Sequence, residues 1–197
     1  MKERPIIFRA DSVRAILDGR KTQTRRLVKG APLEWIQVHG FAPEFVAHPE
    51  NDSCRYGKTG DRLWVRERFQ RIDGQTQPWI ETDYEATYKR GDRLGDLLGD
   101  KKQWQPAMFM PRHASRILLT ITGLRIERLQ EISEADARAE GAPCVDEVSG
   151  REVLFPDHAK CGTFKLGFQC LWESHHGPDS WAESPYVWVI NFERTTA

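Results

Sequence analysis

Alternation of apolar and polar side chains is clearest in "SRILLTITGLRIERLQ", which is rich in β-branched residues and predicts a long strand. Gly123 interrupts the alternation as a bulge or bend would. "GDRLWVRERF" has the same period, with Leu63, Val65, Glu67 and Phe69 on one face and Trp64, Arg66 and Arg68 on the other, so this strand carries a carboxylate on its more apolar side. "RPIIFRA", "WIETDYEATYK" and "SPYVWVINFER" are further strand segments. The helical period is shorter-lived. Val13, Ile16 and Leu17 fall at i, i+3 and i+4 behind Asp11 or Ser12 as a cap, and Gly19 stops the helix. In "ISEADARAEGA", Ser133 caps a helix with Asp136 at the capping-box position and Gly141 at its end. "FKLGFQCLWESHHG" predicts an aromatic helix.

Between these elements lie segments without a firm period. Residues 30–60 are rich in Gly, Pro and polar residues and look like an insertion or long loop, 90–106 is charged and Gly-punctuated, and 142–160 has the composition of a mobile segment. Many short strands with two or three short helices predict an α+β protein: one domain over residues 1–197, built on a small mixed β-barrel with flanking short helices and loop insertions. With 39% hydrophobic residues in 197, the chain can bury a sizeable core. It has no run of about 18 apolar residues, and the opening "MKERPIIFRADS" lacks the apolar stretch of a secretory signal. The expectation is a cytoplasmic protein with no membrane partner.

Charge changes the picture locally. The formal net charge is zero, yet residues 1–30 hold nine Lys and Arg against three acidic side chains. The densest part is Gly19 to Arg26, "GRKTQTRR", where four cations are interleaved with two threonines. Such a stretch is either a solvated basic turn or a site for an anionic or carbonyl-bearing ligand. A threonine hydroxyl is a poor nucleophile until a base stands within hydrogen-bond reach. A lysine crowded by Arg20, Arg25 and Arg26 has a lowered pKa if its ammonium is desolvated, and in that case Lys21 can be that base. Glu140, just before the helix-terminating Gly141, places a carboxylate where it opposes the helix dipole, a local misfit that favours a role in a site. A second cationic group, Arg112, His113 and Arg116, lies in "MPRHASR".

Other reactive side chains carry less. Cys54, Cys144, Cys161 and Cys170 have no CxxC spacing and read as reduced thiols. A zinc site from Cys144, His158, Cys161, Cys170 and His175 lacks the tight ligand pairs of structural sites, so no metal and no cofactor are expected. Glu67, alternating with apolar neighbours, is either a second site carboxylate or the partner of a nearby arginine, and the second reading is favoured. Trp64, Trp172 and Trp188 belong to patterned apolar elements and are expected in the core; Trp35, Trp79, Trp104 and Trp181 lie in or beside loops, where one could stack on a base. His175 and His176 read as a helix end and turn.

The segments "ILDGRKTQTRR", "GDRLWVRERF" and "ISEADARAEG", in this order, resemble the ASCH domain, a PUA-like β-barrel family, and the tail "LWESHHGPDSWAESPYVWVINFER" resembles the longer ASCH proteins of bacteriophages and prophages. The resemblance implies a pocket at one end of the barrel suited to a nucleobase or nucleoside, and RNA-related roles. One small ASCH branch removes the acetyl group from N4-acetylcytidine with a Lys and a Thr in a G-x-K-T-x-T motif and a Glu near the end of the later helix. Lys21, Thr24 and Glu140 match that set, and Arg26, then Arg66 and Arg116, are nominated to hold the nucleotide. The chain departs from the small amidohydrolases in its length, with additions around 30–60, 90–106 and 142–160.

Two functions fit these residues: an amidohydrolase acting on an acylated nucleoside, and a non-catalytic module that binds RNA or reads a modified base. A third, a phage structural accessory, has no residue behind it. Fold does not choose among them, and the oligomeric state is not readable from the chain.

Overall fold

The structure, a computed structural model, describes residues 1–73, 79, 81–89, 103–146 and 162–195. Five strands form a mixed sheet: β1 (Glu3–Ile7), β2 (Gln23–Leu27), β3 (Arg62–Arg66), β6 (Leu118–Arg128) and β9 (Tyr186–Arg194), in the order β1-β3-β6-β9-β2. The β1–β3 pair is parallel; β3–β6, β6–β9 and β2–β9 are antiparallel. The β6–β9 register slips between Ile121 and Gly123, the bulge expected at Gly123. β4 (Phe69–Ile72) and β5 (Glu81–Tyr84) form a separate hairpin, and the two-residue β7 (Val145–Asp146) pairs with β8 (Gly162–Thr163).

Strand alternation divides the packing. Trp188, Ile190 and Phe192 of β9 face a core shared with Ile6, Leu63, Val65, Leu119 and Ile121, covered by Val13 and Ile16 of α1 (Ala10–Leu17). Val187 and Val189 face the other way, toward Ala137 of α4 (Glu134–Ala139) and Phe168 and Trp172 of α5 (Phe164–His176). Helix α5 lies close against its neighbour because Gly167 has no side chain: a Cβ there would sit 1.9 Å from the Pro143 carbonyl oxygen.

Three expectations change. Residues 30–60 are not a plain loop: they contain α2 (Ala31–Gln37), α3 (Pro43–Val46) and a 3-10 turn (Pro49–Asn51), and Ile36, Val46, Ala47 and Cys54 are buried in the main core. Each of these helical pieces has a proline at its first or second position, where a missing N–H costs nothing. Helix α1 is preceded by Arg9, without a side-chain cap, while Asp11 sits in the first turn and pairs with Arg14. The α+β class and the mixed sheet with flanking helices stand, but the sheet is not a closed barrel; among the described residues no ladder joins β1 to β2. Instead the Arg26 guanidinium donates to the Ile7 carbonyl across that seam at 2.7 Å. Most of the segment 90–106, and 147–160 of the segment 142–160, lie outside the described residues.

Candidate functional site

The "GRKTQTRR" stretch is not a solvated turn. Lys21, Thr24 and Arg25 are each 4–5% exposed. Its backbone is held from three sides: the N–H groups of Arg20 and Lys21 both donate to the Ala15 carbonyl at the end of α1, Thr22 N–H donates to Ala139 of α4, and the Thr22 carbonyl accepts from Phe192 of β9. The turn is thereby pinned where α1, α4 and the β2–β9 ladder meet.

Gly141 completes this junction. Its φ of +74° is one that other residues adopt only with strain, and a Cβ would lie 3.0 Å from Ala15 Cβ and 3.1 Å from Lys21 Cβ. The glycine lets the C-terminal end of α4 approach the lysine. Lys21 Nζ then donates to both the Glu140 carbonyl (2.7 Å) and Glu140 Oε2 (2.5 Å). The other carboxylate oxygen, Oε1, accepts from Arg25 at 3.2 Å. Burial pushes the Lys21 ammonium below the usual lysine range; Glu140 pulls the other way, and Arg26 and Arg25 add to the lowering.

Behind Glu140, on the α4 and α5 side of the sheet, Arg25 is the hub. Its guanidinium reaches Glu127 and Gln23 Oε1, and Gln23 Nε2 bonds Asp136 and Asn191. Asp136, pushed up by burial, is nonetheless held below the usual range by the Gln23 hydrogen bond and the charges of Arg125 and Arg25. The capping-box carboxylate is thus turned inward, and Ser133 alone caps the helix by accepting from Asp136 N–H.

Lys21, Thr24 and Glu140 line one cavity of about 290 Å³. Among the described residues the Thr24 hydroxyl makes no hydrogen bond, so it is free to meet a ligand. The wall is aromatic: Phe8 lies under Lys21 Nζ (5.8 Å to the ring centroid) and under the Arg26 guanidinium (5.1 Å), and Phe168, Trp172, His175 and His176 come from α5. Trp172 and His176 stack with centroids 4.1 Å apart. Trp172 Nε1 is buried and unpartnered among the described residues, an unusual cost for an indole. Burial, and then the charge of Arg9 for His175 or of Arg26 for His176, lowers the pKa of both imidazoles and favours their neutral form.

The three arginines nominated for the nucleotide separate. Arg26 lines the cavity, and its Nε is buried with no acceptor among the described residues. Arg66 stacks on Trp64 at 4.5 Å and does not line the cavity. Arg116 is committed elsewhere: it grips both oxygens of Glu67 (2.9 and 3.0 Å), donates to Thr87 and stacks on Tyr84 at 3.9 Å. Glu67 is therefore an arginine's partner, as its strand position suggested. Trp64, Trp172 and Trp188 are buried as expected, but Trp172 also lines the cavity, whereas none of the four loop tryptophans does. The α5 residues and Phe8 were missed because an aromatic helix face reads as core. The i, i+4 pair Trp172 and His176 was the available signal.

Among the described residues no group of three or more His, Cys, Asp or Glu could hold a metal ion; His158 and Cys161 lie outside them. Among the described residues no helix is long and apolar enough to cross a membrane. Comparison with family profiles, with curated proteins and with solved structures finds no match.

Proposed function

We propose that the cavity is the active site of an amidohydrolase that removes an acyl group from a modified nucleoside such as N4-acetylcytidine, on a PUA-like barrel whose β1–β2 seam is spanned by Arg26. The observation that carries this reading is the convergence of Lys21, Thr24 and Glu140 on one cavity, with the lysine bonded to the glutamate and the threonine hydroxyl unbonded among the described residues.

The chemistry follows from burial. Burial lowers the Lys21 ammonium, which makes its amine available as a base, and Glu140 is hydrogen-bonded to it as a proton carrier. Thr24 Oγ attacks the acyl carbonyl carbon and its proton passes to the Lys21 amine. The C–N bond breaks, Glu140 relays that proton from Lys21 to the departing amine, and the acyl group remains as an ester on Thr24. Water then attacks the ester while Glu140 accepts its proton; the carboxylic acid leaves and the proton returns through Lys21 to Thr24. The balance is amide plus water giving acid plus amine, and no step calls for a metal. Phe8, Trp172 and His176 offer π faces for the base.

Incubation with N4-acetylcytidine and other N-acyl nucleosides, read by chromatography, tests this. Cytidine and acetate should accumulate, and chelators should leave the rate intact. Full turnover by Thr24→Ala contradicts the reading. The non-catalytic alternative keeps the aromatic wall but has no use for Thr24.

A further inference from the structure

A second cavity of about 280 Å³ adjoins the first and shares Arg25, Arg26 and His176 with it. Among the described residues its lining holds four cationic side chains, Arg25, Arg26, Lys29 and Arg55, and no carboxylate. Arg25 is neutralised from behind by Glu127 and Glu140. Arg26, Lys29 and Arg55 form no ion pair among the described residues, in a protein whose total charge is zero. Arg55 stacks beside Tyr56, which also lines the cavity and whose hydroxyl makes no hydrogen bond among the described residues. The opposite flank of the first cavity differs: there the carboxylates of Asp11 and Asp18 pair with Arg14 and Arg20.

We infer that the cavity lined by Arg26, Lys29, Arg55 and Tyr56 is a phosphate subsite, so that the ligand is a nucleotide whose base enters the Lys21–Thr24 cavity, and not a free nucleoside. The inference rests on the proposed function for the identity of the base. The chemistry is that of a phosphate: several unpaired cations and a phenol around one opening, with Arg26 and His176 at the passage between phosphate and base. A segment expected to be a loop, 30–60, supplies Arg55 and Tyr56 and is anchored in the core through Val46, Ala47 and Cys54. The phosphate could belong to a free nucleotide or to an RNA strand.

The test is calorimetric titration of the full chain with cytidine, with cytidine monophosphate and with a cytidine-containing trinucleotide, at two salt concentrations. None of these probes needs to be cleaved. The monophosphate should bind at least about tenfold more tightly than cytidine, the scale of a charge-assisted contact. Because Lys29 and Arg55 are exposed and unpaired, their loss should leave the fold intact, and K29A/R55A should bring the ratio toward one; R55E alone should also lower it. A trinucleotide that binds tighter still, with a log–log salt slope beyond about 0.7, identifies an RNA strand; binding no tighter than the monophosphate identifies a free nucleotide. Equal affinity for cytidine and its monophosphate, no binding of either, or a ratio untouched by K29A/R55A overturns the subsite. Failure of the catalytic reading is separable: N4-acetylcytidine monophosphate would then remain intact while the binding preference persisted.

Discussion

Two buried glutamates of this molecule are each hydrogen-bonded to a cation and differ in what surrounds them. Arg116 and Glu67 satisfy each other with two parallel hydrogen bonds, and Tyr84 and Thr87 occupy the rest of the arginine. The Lys21 and Glu140 side chains are both 5% exposed, against 25% for the Arg116 side chain, yet a cavity opens beside them, a hydroxyl unbonded among the described residues faces it, and Arg25 holds the second carboxylate oxygen from behind. Burial displaces both groups from their usual titration ranges, Glu67 upward against Arg116 and Lys21 downward against Glu140. A perturbed titration therefore does not distinguish a strut from a site. In the proposed function, the free hydroxyl and the space for a ligand make that distinction.

Mutation separates the two pairs most sharply at Thr24 and Lys21. Either residue changed to Ala should remove nearly all turnover, and the double variant should be scarcely slower than either single one, because residues acting as one unit lose their effects non-additively. Independent, multiplying losses would show that the two do not act together. Glu140→Gln keeps the shape but cannot exchange the proton, so turnover should fall by about a hundredfold to ten-thousandfold, with substrate affinity retained. An unchanged rate would return Glu140 to the structural class.

Removing Arg116 should do the reverse. Arg116→Met leaves Glu67 buried without its cation and should cost about 3 kcal/mol of folding stability, measured by urea denaturation, while turnover per folded molecule is kept. A loss of turnover with full stability would erase the distinction between the pairs. Gly141→Ala should destabilise by about 1–3 kcal/mol, the range for a residue forced into a left-handed conformation, and should also slow turnover, since the added methyl presses on Lys21.

The smallest effect is the pH dependence of stability. Because the folded pKa of Lys21 is lowered, the folded state holds fewer protons than the unfolded chain between that value and about 10.4. Stability should rise with pH through this window, and Lys21→Met should flatten the rise. Turnover should likewise increase with pH as Lys21 loses its proton, with a midpoint below the usual lysine range. A rate that climbs only at the ordinary lysine value would mean a solvated ammonium.

Much of this was legible along the chain and some was not, for physical reasons. Period-two alternation located β3, β6 and β9 because each faces apolar surroundings, and Gly123 marked the bulge. The crowding of Lys21, Thr24 and the arginines marked the segment that lines the cavity. Alternation says nothing about which strands pair, so the parallel β1–β3 ladder and the open seam between β1 and β2 came only with the structure. Nor could spacing tell Arg25, a buried hub, from Arg26, which faces the cavity one residue later; that depends on which side of β2 packs on α5. The helices of 30–60 were hidden by brevity, though their prolines marked the starts.

The central claim is that Thr24 carries the acyl group between the two halves of the reaction. Rapid acid quenching of the protein mixed with N4-acetylcytidine, followed by intact-mass analysis and peptide mapping, should find one acetyl group on Thr24 early in turnover, absent from Thr24→Ala. Turnover by the wild type with no adduct on Thr24, together with an undiminished rate in Thr24→Ala, would contradict the claim.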